Sequence, residues 1–328
     1  MEVKVVPGIG KLVEVVASGI GGVAGSMLAP WRAGQESKAR EITARGNARI
    51  LEIQAEAQKK ARQILVDEDV SRRVEIELAE GIRQRVEYQE HKRQANITAV
   101  VGMAAQQLEE KNVPAAEPNH DWTARFFGEI KDVSSEEMQV LWGRILAGEV
   151  QRPGTTSMRT LGILKDMDTP TARLFSRFCS AAIYLNRPDG EVIDARVPSL
   201  GGNAGENSLA DYGFGFGALN RLNEHGLIIA DYNSYFTYGI LRHDDGAGIE
   251  LHHQGLSWDC VIEQPNVEEK RAQIHGVAMT VAGSELSRFV SLEPMDAYTK
   301  SLQRYLRQGF QLRMEPVHGD GTDTRDDG

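Results

Sequence analysis

The chain has 328 residues, 41% of them apolar, and a formal charge of −10 at pH 7. That length holds two or three folded units with a real core, and the acidic balance argues against a protein that coats nucleic acid by bulk electrostatics. The two cysteines, Cys179 and Cys260, lie far apart in apolar contexts, which fits a reducing cytoplasm and excludes a disulfide or zinc framework.

Residues 1–31 read as an apolar, glycine-rich amphipathic segment. Ile9, Leu12, Val13, Val16, Ile20, Val23 and Met27 recur at spacings of three and four, which predicts one helical stripe for a membrane or another helix, with Trp31 at its end. Ser18, Gly21, Gly22 and Gly25 fall on the other side, a small face that lets helices approach closely. Residues 1–66 carry ten Lys or Arg against six Asp or Glu, so the apolar segment sits at the basic end, which suits an anionic bilayer. Six glycines between Gly8 and Gly25, together with Glu14, make it a poor spanning helix and a poor secretory signal.

Residues 32–112 have the composition of a long charged helical arm. Ile50, Ala57 and Ile64 are seven apart, but Gly46 and Lys60 interrupt the seam, so a solvated arm and a coiled-coil stalk both remain open. A helix is expected from about Ser37 to Val66, and one or two more between Val74 and Leu108.

Residues 113–186, after a Pro-containing linker, are expected to form a compact helical domain. Ser134 and Glu137 suggest a capping box, and Thr169-Pro170 suggests the start of a helix that runs to about Leu185. Trp122, Phe126, Phe127, Trp142, Phe175 and Phe178 are its expected core.

Residues 187–314 read as a winged-helix-like α+β module. A helix closed by Gly226 leads into Leu227-Ile228-Ile229, with further short strands at Val192–Val197, Ile249–Leu251, Asp259–Ile262 and His275–Val281. The last strand enters Thr280-x-x-Gly283-x-x-Leu286, and two helices broken at Pro294 follow. Residues 315–328 read as a disordered acidic tail. The expected fold class is mainly α with a small β component.

Chemistry-bearing clusters are sparse. His243-Asp244-Asp245 and His252-His253 form the densest group, but adjacent strand histidines point to opposite faces, so no shared metal is expected. Cys260 has no assignable partner, Arg144 and Glu149 read as the solvated face of a helix, and the glycine-rich stretch 201–217 lacks the strand and the Gly-Lys-Ser/Thr of a phosphate loop. The helix near Ala218–His225 pairs Arg221 with Glu224, which makes DNA reading by a winged module improbable. No catalytic residue, metal or cofactor is expected.

The run LWGRILAGEVQRPGTTSMRTLGILKDM, with HGLII and MTVAGSELSRFV downstream, resembles domain-of-unknown-function family 2806. The similarity covers roughly Ser37 to Leu312, with Met279 where the pattern has leucine. A more distant likeness is to the Abi-alpha family, named for abortive phage infection, which shares a charged helical lead-in, a tryptophan-bearing helix and a Gly-Leu-Ile module. These resemblances imply a bacterial cytoplasmic protein and supply no catalytic residues.

The leading expectation is thus a non-enzymatic, homo-oligomerising effector or scaffold that associates with membrane lipid, peripheral to the inner membrane, answers an unknown protein trigger and acts in anti-phage defence. The alternative is a soluble interaction or regulatory protein whose N-terminal helix is buried in its own core, with a DNA-binding regulator as a weaker third.

Overall fold

The computed structural model describes residues 7–20, 68–109, 113, 116–202, 205–238, 250–262, 273–310 and 312–316. The chain divides into two compact units, Met1–Thr156 and Ser157–Gly328. The boundary falls inside 113–186, the stretch read from sequence as one domain. The predicted arm helix from Ser37 to Val66 lies outside the described residues, as does the tail from residue 317.

The N-terminal unit is helical: α1 (Pro7–Ile20), α2 (Glu68–Leu108), α3 (His120–Ile130) and α4 (Glu136–Gln151). Helix α2 is a single 41-residue element. Its C-terminal half buries Val100, Val101, Ala104, Ala105 and Leu108, whereas residues 72–87 are exposed. At Gly143 of α4 an added Cβ would lie 2.5 Å from the Met103 Cβ, so α4 meets α2 where it has no side chain.

Trp122, Phe126 and Trp142 interlock at centroid separations of 5.0 and 5.3 Å, the offset and edge-on contacts that aromatic quadrupoles favour. All six aromatics expected in the core are buried, but Phe175 and Phe178 belong to the C-terminal unit.

The expected cap at Ser134 shifts by a residue. Helix α3 is capped by Asn119, whose side-chain oxygen accepts from the Asp121 and Trp122 N–H groups. Helix α4 starts after Ser135 with no side-chain cap. Ser134 instead sits 3.3 Å from Asn96 Nδ2, which also donates to the Lys131 carbonyl and ties α2 to the α3–α4 turn. Tertiary partners thus took the hydroxyl that a local capping box would have used.

The C-terminal unit contains α5 (Met158–Lys165), α6 (Thr169–Ala181), β1 (Ile183–Asn186), β2 (Val192–Pro198), α7 (Phe216–Glu224), β3 (Ile228–Ile229), β4 (Tyr235–Thr237), β5 (Glu250–His253), β6 (Leu256–Ile262), β7 (Gln273–Met279), α8 (Val281–Ser287), α9 (Asp296–Phe310) and β8 (Leu312–Pro316). The strands form one antiparallel eight-stranded sheet in the order β3-β7-β2-β1-β5-β6-β8, with β4 also on β7. The winged-helix-like layout of α7, β3, β7 and α8 is therefore one end of a larger sheet.

Two strands lie where the sequence predicts helix. Helix α6 is capped by Asp168, not Thr169, and stops at Ala181, so Ile183–Asn186 pairs with both β2 and β5. Leu312–Pro316 pairs with β6 and crosses the expected start of the acidic tail. No helix among the described residues is long and apolar enough to cross a membrane.

Candidate functional site

Helix α1 begins at proline, whose fixed φ and missing N–H suit a first helical position. It packs against α3, α2 and α4 of its own unit. Leu12, Val15 and Val16 are at most 3% exposed, and with Gly19 they make an i, i+3, i+4, i+7 face. A Cβ at Gly19 would lie 2.1 Å from Phe127 Cδ2, so the Phe127 ring occupies the space a side chain would need. Lys11 adds an ion pair to Glu117, 3.3 Å away, in the segment before α3.

Of the residues read as the packing face, Leu12 and Val16 are thus in the core of the N-terminal unit. The side chains of Ile9, Val13 and Ile20, and all of Val23, Met27 and Trp31, lie outside the described residues. On the small face, Ser18 is exposed with its hydroxyl on the Val15 carbonyl, while Gly21, Gly22 and Gly25 lie outside the described residues. Val15 and Gly19 lie outside the stripe expected from the sequence. The signal was available in the Leu12-Val15-Val16-Gly19 spacing, but neighbouring apolar and small residues offered an equally regular stripe one position away.

The large apolar side chains that remain strongly exposed in the N-terminal unit, among those described, are all on α2. Val74, Leu78, Ile82 and Val86 are 40%, 62%, 45% and 48% exposed at a constant spacing of four, and Ile76 stands apart from their line at 64%.

In the C-terminal unit the Thr280-x-x-Gly283-x-x-Leu286 pattern has a mechanical basis. Thr280 caps α8 by accepting from Gly283 N–H at 3.0 Å and donates its hydroxyl to the Gly226 carbonyl. Gly226, with φ 69°, closes α7 in a left-handed turn in which the Leu227 N–H reaches back to the Leu222 carbonyl. Leu227 and Leu286 then fill the core.

The paired histidines do face opposite ways. His253 is buried, with Nδ1 2.9 Å from the Ala182 carbonyl and Nε2 2.8 Å from Thr299 Oγ1. A carbonyl only accepts, so Nδ1 carries the proton and Nε2 accepts from the threonine. Burial lowers the His253 pKa, partly opposed by the Ala182 contact. The unfolded imidazole titrates near about 6.5 and the folded one below it, so the unfolded chain binds more protons as pH falls through this window. The His253 contribution to stability is therefore fully present above about pH 6.5 and declines below it until the folded pKa is passed. A chemical-denaturation series against pH is expected to show this slope, and His253→Gln to flatten it.

His252 sits 2.9 Å from Glu250 Oε2 through Nε2 and 3.3 Å from Ser257 Oγ through Nδ1. A serine, an imidazole and a carboxylate in sequence invite a nucleophile reading. Acyl transfer would also need donors aimed at the developing oxyanion, and here Glu250 is exposed and Ser257 is the direct cross-strand partner of His252. The trio reads as polar pairing on a hairpin.

His243-Asp244-Asp245 lies outside the described residues, and no group of His, Cys, Asp or Glu among the described residues could hold a metal. Burial pushes the Cys179 thiol up, away from thiolate chemistry, and the Cys260 side chain lies outside the described residues.

Glu149 is buried and not on a solvated face. It accepts from the Gly154 and Thr156 N–H groups and anchors the turn after α4. Burial raises its pKa, while these bonds draw it down.

A family model described as a protein of unknown function, DUF2806, matches residues 80–303. The chain belongs to the DUF2806 family. No curated protein and no solved structure matches it. The DUF2806 match begins inside α2 and ends inside α9, so it spans the wall on which α1 docks, but not α1 itself.

Proposed function

We propose that this DUF2806 protein is a non-enzymatic, self-associating interaction scaffold whose N-terminal helix is docked in its own core. One observation carries the reading. Within the described N-terminal unit, Leu12, Val15 and Val16 of α1 are buried while the strongly exposed large apolar side chains are on α2, so α2 offers an apolar binding surface on that unit. The buried polar groups support the non-enzymatic part, because Glu149, His253 and Arg196 are each committed to internal partners. Arg196 donates to Asp194 through Nε at 2.6 Å and to the Ile274 carbonyl through Nη1 at 3.0 Å. The distant likeness to the Abi-alpha family adds a bacterial, anti-phage setting to this proposal.

Amide exchange of residues 12–19, with and without anionic liposomes, tests the docked helix. The expected result is protection that liposomes leave unchanged, with no release of trapped dye. Loss of that protection together with dye release would replace this reading by the membrane-associating one.

A further inference from the structure

We propose that the exposed ridge of α2 is the self-association surface, and that its occupant is the same ridge of a second copy running antiparallel. The inference rests on the self-associating part of the proposed function and names its site.

Val74, Leu78, Ile82 and Val86 are spaced by four, and each step advances about 40° around the helix. They form an i±4n ridge, the element that interdigitates with a like ridge in the commonest class of helix crossing. In a two-fold dimer both copies present the same patch, so the patch must complement itself.

This one does so in one register. With the two-fold axis crossing the ridge at the level of residue 80, Leu78 faces Ile82 of the other copy, Val74 faces Val86, and Glu75 faces Arg85. Glu75 and Arg85 are both exposed and fall within the arc that the apolar ridge covers. Each therefore meets the opposite sign on the other copy, and the pairing occurs twice. A parallel pairing in register would place Glu75 against Glu75 and Arg85 against Arg85. The contact centres on Leu78 and Ile82, with the long side chains of Glu75 and Arg85 reaching across at its margins.

The mass of the full chain in solution tests this, by light scattering across micromolar concentrations. The wild type is expected to be a dimer, and the Leu78→Glu, Ile82→Glu double variant a monomer with an unchanged far-UV circular dichroism spectrum, because both positions are exposed. Glu75→Arg or Arg85→Glu alone is expected to weaken the dimer roughly 2- to 10-fold at low salt, and the two together to restore it.

A wild-type monomer would overturn both this site and the self-association reading. A dimer indifferent to the Leu78 and Ile82 changes would overturn the site alone. Failure of the charge reversal to restore association would overturn the antiparallel register.

Discussion

Replacing Gly283 with alanine is expected to destabilise the C-terminal unit by about 3 kcal/mol, the upper end for an overpacked site. The added Cβ would lie 2.1 Å from the Leu227 carbonyl oxygen and 3.1 Å from its carbon. That obstacle is backbone, which cannot rotate away as a side chain would. The same oxygen accepts from the Thr280 N–H at 3.0 Å, and the Thr280 hydroxyl fastens the neighbouring Gly226 carbonyl. Moving Leu227 would therefore break the α7–β3 turn and the α8 cap together.

Chemical denaturation measures the loss. Gly217→Ala is the control, because a Cβ there meets nothing within 4 Å, and alanine in that helix is expected to be neutral or stabilising by up to about 1 kcal/mol. Equal behaviour of the two variants would show that Gly283 is not a close-approach position.

The contrast between these glycines marks what was legible in the sequence. Gly226 could be read because a helix that ends before a β-branched run needs a left-handed residue there, and the Thr280-x-x-Gly283-x-x-Leu286 spacing could be read as a strand entering a helix. The strand nature of Ile183–Asn186 could not. IYLN is a short apolar run that continues the helical pattern of α6, and only its two partners, β2 and β5, decide its state. The same holds for Leu312–Pro316, whose strand state depends on β6, fifty residues earlier in the chain.

The burial of Glu149 is hidden from the sequence for a related reason. Its position among α4's charged residues suggests solvent, and what buries it is the turn at Gly154–Thr156 folding back to donate three residues beyond the helix end. The opposite facing of His252 and His253 could be read because it follows from strand alternation alone, which needs no knowledge of partners. Among the packing residues of α1, periodicity found Leu12 and Val16, but the position of Phe127 selects Gly19, and that ring belongs to a helix more than a hundred residues away.

Leu12→Asp is expected to undock α1 and to remove about 3 kcal/mol or more from the N-terminal unit. Leu12 is fully buried, and truncating a buried leucine alone costs about 2–5 kcal/mol. A carboxylate at that site would also have to be desolvated or protonated, which adds to the cost. Helix α1 has only 14 residues, too few to hold helical form in water by itself, so it should lose structure once released. The Trp122–Phe126–Trp142 cluster has contacts independent of α1, and the α2–α4 contact at Gly143 is likewise independent. The remainder of the unit should therefore stay folded but weakened. Limited proteolysis would then cut within residues 7–20 of the variant, and tryptophan fluorescence would report a lower midpoint for the rest. Glu14→Ala, at an exposed position of the same helix, should leave both readouts near wild type. If Leu12→Asp left α1 protected, the docking contact would carry little of the unit's stability. If it freed α1 and the released helix then bound anionic liposomes, α1 would be a latent membrane element held shut by the contact at Leu12, Val16 and Gly19.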